Sequence, residues 1–246
     1  MELEYAYLTD TGKVRSHNED SVTITKNRSG EYLLAVADGM GGHTGGEIAS
    51  NIAIDYLTER FEKASSVGNK QDCINFLKDT VSEANLKLYK YTQEHPESIG
   101  MGTTLVLAVL TNNFLLFGNI GDSSGFVVKN NKLHKITIDH TLVNLLVKSG
   151  EITEEEAKDH PRKNVLLKAL GAQNTIEMDI FDVEKDIDGI FLCSDGLSNM
   201  LEVEQIEKVL DEEELKAEDK CRKLIIKSNN RGGNDNITVA YMRMVK

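Results

Sequence analysis

Apolar residues in this chain collect into short runs with almost no polar interruption, among them Leu33-Leu-Ala-Val-Ala37, Leu105 to Leu110 and Ile190-Phe-Leu-Cys193. A strand with one wet face alternates apolar and polar residues, so unbroken runs belong to a sheet covered on both faces. The longest, Leu105 to Leu110, is far below the roughly 20 residues that cross a membrane. The chain opens Met1-Glu-Leu-Glu4 without a basic or apolar leader, and a cytoplasmic location is expected.

The remaining pattern says what covers the sheet. Leu3 to Thr9, Ser21 to Thr25 and Tyr32 to Ala37 are short, rich in β-branched and aromatic residues, and broken by Thr-Gly and Ser-Gly turns, which predicts strands. Ile48, Ile52, Tyr56 and Leu57, then Ile74, Leu77, Val81, Ala84, Leu88 and Tyr91, recur at helical spacing and predict two amphipathic helices. A meander of four strands is expected between Thr103 and Thr137, then short helices at Thr141 to Lys148 and Thr153 to Lys158. Strands near Thr175 to Asp182 and Gly189 to Cys193, helices across Val203 to Ser228 and a strand from Asn236 to Met244 complete the chain. Runs of strands followed by runs of helices indicate an α+β fold, antiparallel sheet with helices outside it, and a pair of sheets between helices fits best. With 2 prolines, no linker and no repeat, the 246 residues are expected to form one domain.

Charge and cysteine content narrow the function. The balance of 28 Lys plus Arg against 40 Asp plus Glu leaves a net charge of −12, without the basic patch that binding to a phosphate backbone requires, so nucleic acid is excluded as a partner. Cys73, Cys193 and Cys221 are odd in number and widely spaced, which fits buried thiols rather than a zinc pair or a disulfide framework. No Cys-x5-Arg loop occurs, which disfavours a cysteine nucleophile.

The acidic residues carry the chemistry. Asp38, Asp122 and Asp195 each follow an apolar segment, Asp235 directly precedes Asn236-Ile-Thr-Val, and Glu19-Asp20 precedes the strand at Ser21. One aspartate at a strand end is most often a turn residue. A set of them delivered to one rim accumulates negative charge that only protons or cations can neutralise. Carboxylates without Cys or His at ligand spacing favour Mg²⁺ or Mn²⁺ over zinc, and the Gly39 carbonyl can add an oxygen where no side chain blocks the approach. Two such ions about 3.5 to 4 Å apart would hold a bridging water, lower its pKa and aim it in line at phosphorus. Arg15 has the fork to hold phosphoryl oxygens, and His43, on a glycine loop after Asp38, could protonate a departing alkoxide. His17, His95, His134, His140 and His160 show no pairing at metal spacing, and no chemistry is assigned to them.

Arg15-Ser-His-Asn-Glu19-Asp20, Ala37-Asp38-Gly-Met-Gly-Gly-His43, Gly100-Met-Gly-Thr-Thr104, Gly121-Asp122-Ser123, Ser194-Asp195-Gly-Leu197 and Gly233-Asn-Asp235-Asn236-Ile-Thr together resemble the protein phosphatase 2C family, prokaryotic-type metal-dependent serine/threonine phosphatases. The resemblance implies an α/β/β/α sandwich with a binuclear Mn²⁺ or Mg²⁺ centre at one end of the sheets. It implies that Asp38 bridges both ions, Gly39 lends its carbonyl to one, Asp195 and Asp235 hold the other, Glu19 acts through water and Asp20 supports the constellation. Asp122, with Asp195, matches the position of a third and weaker ion, and Arg15 the phosphate-binding arginine. In relatives with Asp-Gly-His the proposed acid directly follows the glycine; here Met40 stands there, so His43 serves either the leaving group or the loop. Ser124 replaces the arginine that many relatives carry after Gly-Asp-Ser. His140 to Gly171 resembles the flap subdomain beside the metal site. The resemblance also implies phosphorylated proteins as substrates, a cognate serine/threonine kinase and a monomer. The alternative reading is a silent pseudophosphatase that binds phosphoproteins or a kinase, against which the complete set of acids argues.

Overall fold

The computed structural model describes residues 2–41 and 45–245. Its strands, numbered in chain order, form two sheets. One lays β1 (Glu2–Asp10) beside β11 (Ile237–Val245), then β10 (Gly189–Cys193), β7 (Ser124–Lys129) and β8 (Lys132–Lys135). The other runs β2 (Asp20–Lys26), β3 (Tyr32–Met40), β5 (Leu105–Leu110), β6 (Leu115–Ile120) and β9 (Asp179–Val183), with the short β4 (Gly102–Thr103) against the end of β3. Every pairing is antiparallel.

The unbroken apolar runs follow from this stacking. In β3, Leu33, Ala35 and Ala37 face α1 (Gly45–Lys63) and α2 (Lys70–Glu94), packing with Ala49, Ala53, Leu57, Leu77 and Val81. The alternate residues, Leu34 and Val36, meet Ile190, Leu192, Ala240 and Met242 of the other sheet. Phe191, Cys193, Val239 and Tyr241 on that sheet's far side pack under α6 (Val203–Leu210) and α7 (Ala217–Asn230) through Ile206, Val209, Cys221 and Leu224. Three apolar layers thus separate four tiers in the order helix, sheet, sheet, helix. Period-2 geometry sends alternate side chains of each central strand into different layers, and both layers are dry. Each leucine so enclosed contributes roughly 1.5–3 kcal/mol.

Local signals fix the element ends. The Asn69 side chain accepts from the Gln71 and Asp72 N–H groups and Asp72 returns a bond to the Asn69 N–H, a closed capping box that starts α2. In the 140–171 segment, Thr141 caps α3 (Leu142–Ser149), Gly150 ends it with a φ of 78°, and Thr153 with Glu156 boxes the start of α4 (Glu154–Lys158). Neither of these two helices contains a buried residue. The segment joins the rest of the molecule at its root, where Thr141 bridges Leu166 and Leu170 bridges Thr103.

Two expectations need correction. The four central strands do not form one meander: β5 pairs with β6 in one sheet and β7 with β8 in the other. The chain changes sheets at Gly121-Asp122, where Gly121 takes a φ of +98° and its Cα lies against Thr104, leaving no room for a side chain. The strand expected from Thr175 starts only at Asp179, and Thr175, Ile176 and Glu177 line a cavity instead.

Candidate active site

Antiparallel pairing decides which strand ends meet. β3 and β10 finish at the edge where β2 and β11 begin and where the chain crosses from β6 to β7. Asp38 near the end of β3, Asp195 at the start of α5 (Asp195–Ser198) just after β10, Asp235 just before β11 and Asp122 in the crossing therefore share one rim. With Glu19, Gly39 and Arg15 they line one cavity of about 710 Å³. Asp20 lies behind that wall as the cross-strand partner of Asp38, two acids directly opposite each other, an arrangement that is unfavourable without compensation. His43 lies outside the described residues.

Each group is held from the backbone outward. The Gly39 N–H donates to the Glu19 carbonyl at 3.0 Å, and the Thr104 N–H donates to the Asp38 carbonyl at 2.9 Å. The Asp38 N–H donates to Thr104 Oγ1 at 3.0 Å, and that hydroxyl is 2.8 Å from Ser123 Oγ, beside Asp122. Ser194 Oγ donates to Asp20 Oδ2 at 2.8 Å while Asp20 Oδ1, fully buried, has no partner among the described residues. Arg15 Nη2 meets Asp235 Oδ2 at 2.8 Å. Asn199 Nδ2 donates to Asp195 Oδ2 at 3.1 Å. Glu19 also receives the Gly46 N–H, in the first turn of α1, where the helix dipole favours an anion.

The electrostatics report crowding. Burial raises the Asp38 carboxyl well above its ordinary value, and Asp20, Asp195, Asp122 and Asp235 push it further. Burial pushes Asp20 up to about 7, against the hydrogen bonds from Thr238 and Ser194. Asp122 is pushed up to about 7 by burial and then by Asp195 and Asp139. Burial and Asp235 raise Asp195, and burial raises Glu19 despite Arg15. The Asp38 and Asp195 side chains lie within hydrogen-bonding reach, a contact that two ionised carboxylates cannot make. A site that drives its own acids toward proton uptake fits cations in place of those protons. Among the described residues no three His, Cys, Asp or Glu side chains close tightly enough to cage an ion alone.

The family model for Protein phosphatase 2C matches residues 12–224. The chain belongs to the protein phosphatase 2C family. This phosphatase is 38% identical over 234 residues to the Serine/threonine phosphatase stp of Listeria monocytogenes, covering 95% of the chain and 92% of that relative. The structure of the S. agalactiae serine/threonine phosphatase superposes with a TM-score of 0.94 at 36% identity, covering 99% of this chain and 100% of that one. The catalytic domain of serine threonine protein phosphatase PstP, determined in complex with 2 manganese ions, superposes with a TM-score of 0.84 at 33% identity over 99% of each chain. The chain is thus an enzyme of the metal-dependent serine/threonine phosphatase class.

Several residues that hold this phosphatase's rim in shape carried no sequence-level role. Asn236 Oδ1 accepts from the Glu19 N–H at 2.8 Å, and its Nδ2 donates to the Thr11 and His17 carbonyls, both at 2.9 Å. One satisfied amide thus pins the Arg15–Glu19 loop to the start of β11. Thr104, Ser123 and Ser194 do comparable work. Asn236, Thr104 and Ser194 each adjoin an acid or lie in a glycine-rich motif, and that adjacency was the available signal. Gly39 shows how tight the rim is: a methyl group there would overlap the Gly46 and Glu19 carbonyl oxygens. Gly39→Ala is expected to lower stability by about 1–3 kcal/mol, the usual range for overpacking. Urea denaturation of the metal-free protein checks this, and an unchanged midpoint would contradict the close approach.

Proposed function

We propose that this chain hydrolyses phosphoserine and phosphothreonine in proteins, using two Mn²⁺ or Mg²⁺ ions at the acidic rim. The observation that carries the reading is the convergence of Glu19, Asp38, Asp122, Asp195 and Asp235 with Arg15 on one cavity. In this reading Asp38 holds both ions, the Gly39 carbonyl one, and Asp195 with Asp235 the other. Glu19 acts through water, Asp20 backs Asp38, and Asp122 with Asp195 takes a third ion. When bound, the ion pair supplies an activated water for in-line attack on phosphorus and offsets the charge of the phosphoryl oxygens. The whole chain, residues 1–246, acts as one phosphatase domain, and the 140–171 segment serves as its flap over the cavity through Leu166, Leu167 and Lys168.

Arg15 supplies the one permanent positive charge of the binding fork. Burial lowers its pKa, but Asp235 and then Glu19 and Asp38 raise it further, so the guanidinium is charged at any working pH. It is half-exposed and, among the described residues, paired on one nitrogen only, which leaves the rest of the fork for phosphoryl oxygens. Arg15→Ala is therefore expected to raise KM for a phosphothreonine peptide about tenfold with a smaller change in kcat. Steady-state kinetics decide it; a loss confined to kcat would contradict a binding role.

In the same reading the phosphatase is a cytoplasmic monomer that acts against a serine/threonine kinase on shared protein substrates; no helix among the described residues is long and apolar enough to cross a membrane. The reading is tested with p-nitrophenyl phosphate and a phosphothreonine peptide, with Mn²⁺ and with chelator. Turnover that chelator abolishes supports it. Turnover that survives chelation removes the ions from the chemistry, and no turnover with Mn²⁺ favours a silent phosphoprotein-binding module.

A further inference from the structure

His140 stands where the 140–171 segment leaves the sandwich, and both of its ring nitrogens are committed. The Gly121 N–H donates to Nδ1 at 3.1 Å, so that nitrogen carries no proton. Nε2 then holds the ring hydrogen and donates it to Asp179 Oδ2, also at 3.1 Å. The backbone doubles the grip: the His140 N–H donates to the Gly121 carbonyl at 2.9 Å, and the Leu167 N–H donates to the His140 carbonyl at 2.8 Å. The other oxygen of Asp179 receives Lys168 Nζ at 3.0 Å. Lys168 lines the same cavity as Asp122 and Asp195. The imidazole is 10% exposed, so water does not readily replace these bonds.

One residue, through its ring and its backbone, therefore ties together three parts of the molecule. It holds the crossing beside Asp122, the start of β9, and the point where the segment returns to the sheet. The crossing needs such support, because residues 121–123 belong to no strand or helix and Gly121 carries a left-handed φ of +98°. Asn119 Nδ2 contributes a longer bond to the Gly121 carbonyl, at 3.2 Å, but the Gly121 N–H is taken by His140.

We propose that His140 is a positioning residue. In its Nε2–H tautomer it fixes Gly121, sets Asp122 against Asp195, and couples that alignment to the root of the 140–171 segment. The inference rests on the reading that Asp122 and Asp195 together hold an ion, and it names the residue that prepares that pair.

The two nitrogens can be separated by substitution. The side-chain oxygen of asparagine reaches the place of Nδ1 and can accept from Gly121, but falls short of Asp179. The amide of glutamine reaches the place of Nε2 and can keep Asp179 while leaving the Gly121 N–H without an acceptor. In the metal-free protein, His140→Gln is expected to speed hydrogen exchange of the Gly121 amide about tenfold, while His140→Asn stays within about twofold of the parent. In activity assays on a phosphothreonine peptide, His140→Gln and Asp122→Ala should each raise the Mn²⁺ concentration for half-maximal rate about tenfold. His140→Asn should not, KM at saturating Mn²⁺ should move little, and the Gln variant should add nothing in an Asp122→Ala background. Asn and Gln variants that behave alike, or losses that add in the double variant, overturn the inference. A shift in Asp122→Ala with none in His140→Gln overturns it alone; no shift in either removes the ion-binding role of Asp122 as well.

Discussion

Replacing Asp38 by asparagine is expected to lower kcat on a phosphothreonine peptide by about a thousandfold or more while making the metal-free protein harder to unfold. The activity loss follows from the role proposed for Asp38, which lies among Asp20, Asp195, Asp122 and Asp235 and in that reading holds both ions. Losing one ion removes several kcal/mol of transition-state stabilisation, and each 1.4 kcal/mol is a factor of about ten. Stability moves the other way. In the metal-free protein this buried acid either keeps a proton it would release in the unfolded chain or stands charged among its neighbours, and both are unfavourable. Asparagine has the same shape without the charge and can still bond to Asp195. A gain on the order of 5 °C in Tm under chelation is consistent with removing one or two kcal/mol of repulsion from a domain of this size. Residual Mn²⁺-dependent turnover within about tenfold of the parent, or a lower Tm in chelator, would sink the assignment.

The second large effect is the pH dependence of stability without metal. Asp20 and Asp122 are pushed up to about 7 from 3.8, and Asp38 and Asp195 are raised as well. A carboxyl with a raised folded-state pKa binds more protons folded than unfolded, so stability falls as pH rises. The loss begins as the unfolded chain ionises near 3.8 and levels off above about 7 for Asp20 and Asp122. Glu4, Asp179 and Glu207 are held low by partners, so their contributions disappear only at lower pH and do not mask the window. The Tm of chelated protein should thus fall between pH 5 and pH 8, by an amount equivalent to several kcal/mol. Saturating Mn²⁺ should reverse much of the fall, because in the proposed reading ions take the place of protons at Asp38, Asp122 and Asp195, and an excess of 100-fold over Kd adds about 2.7 kcal/mol. Calorimetry at a series of pH values checks both signs. A flat or rising Tm in chelator would mean that the carboxylates are compensated by something else.

Sequence reasoning and structure part company at identifiable residues. Asp38, Asp122, Asp195 and Asp235 could be picked out because each adjoins an apolar segment, and an acid at the end of a buried strand has to emerge at a sheet edge. His140 could not. Its partners Gly121 and Asp179 are 19 and 39 positions away, and nothing in its neighbourhood along the chain marks it. Asn236 was visible as part of a motif, but its bond to Glu19 spans 217 positions, so the amide's task emerges only when β11 and the Arg15–Glu19 loop lie side by side. The expected meander failed for a related reason. Alternation and turn residues identify strands and their breaks, but a break at Gly121 looks the same whether the next strand folds back on its neighbour or passes into a second sheet.

By itself the sequence determined the strands, the covering helices, the dryness of both sheet faces and the acids at the strand ends, because each of these is written in spacing over a few residues and set by backbone geometry. Which strand ends share a rim, where the chain changes sheets, and which neutral side chains brace the carboxylates were decided only by tertiary structure. Those outcomes depend on pairings between residues far apart in the chain, and the like-charge strain that makes the rim a candidate ion site exists only once burial has brought those acids together.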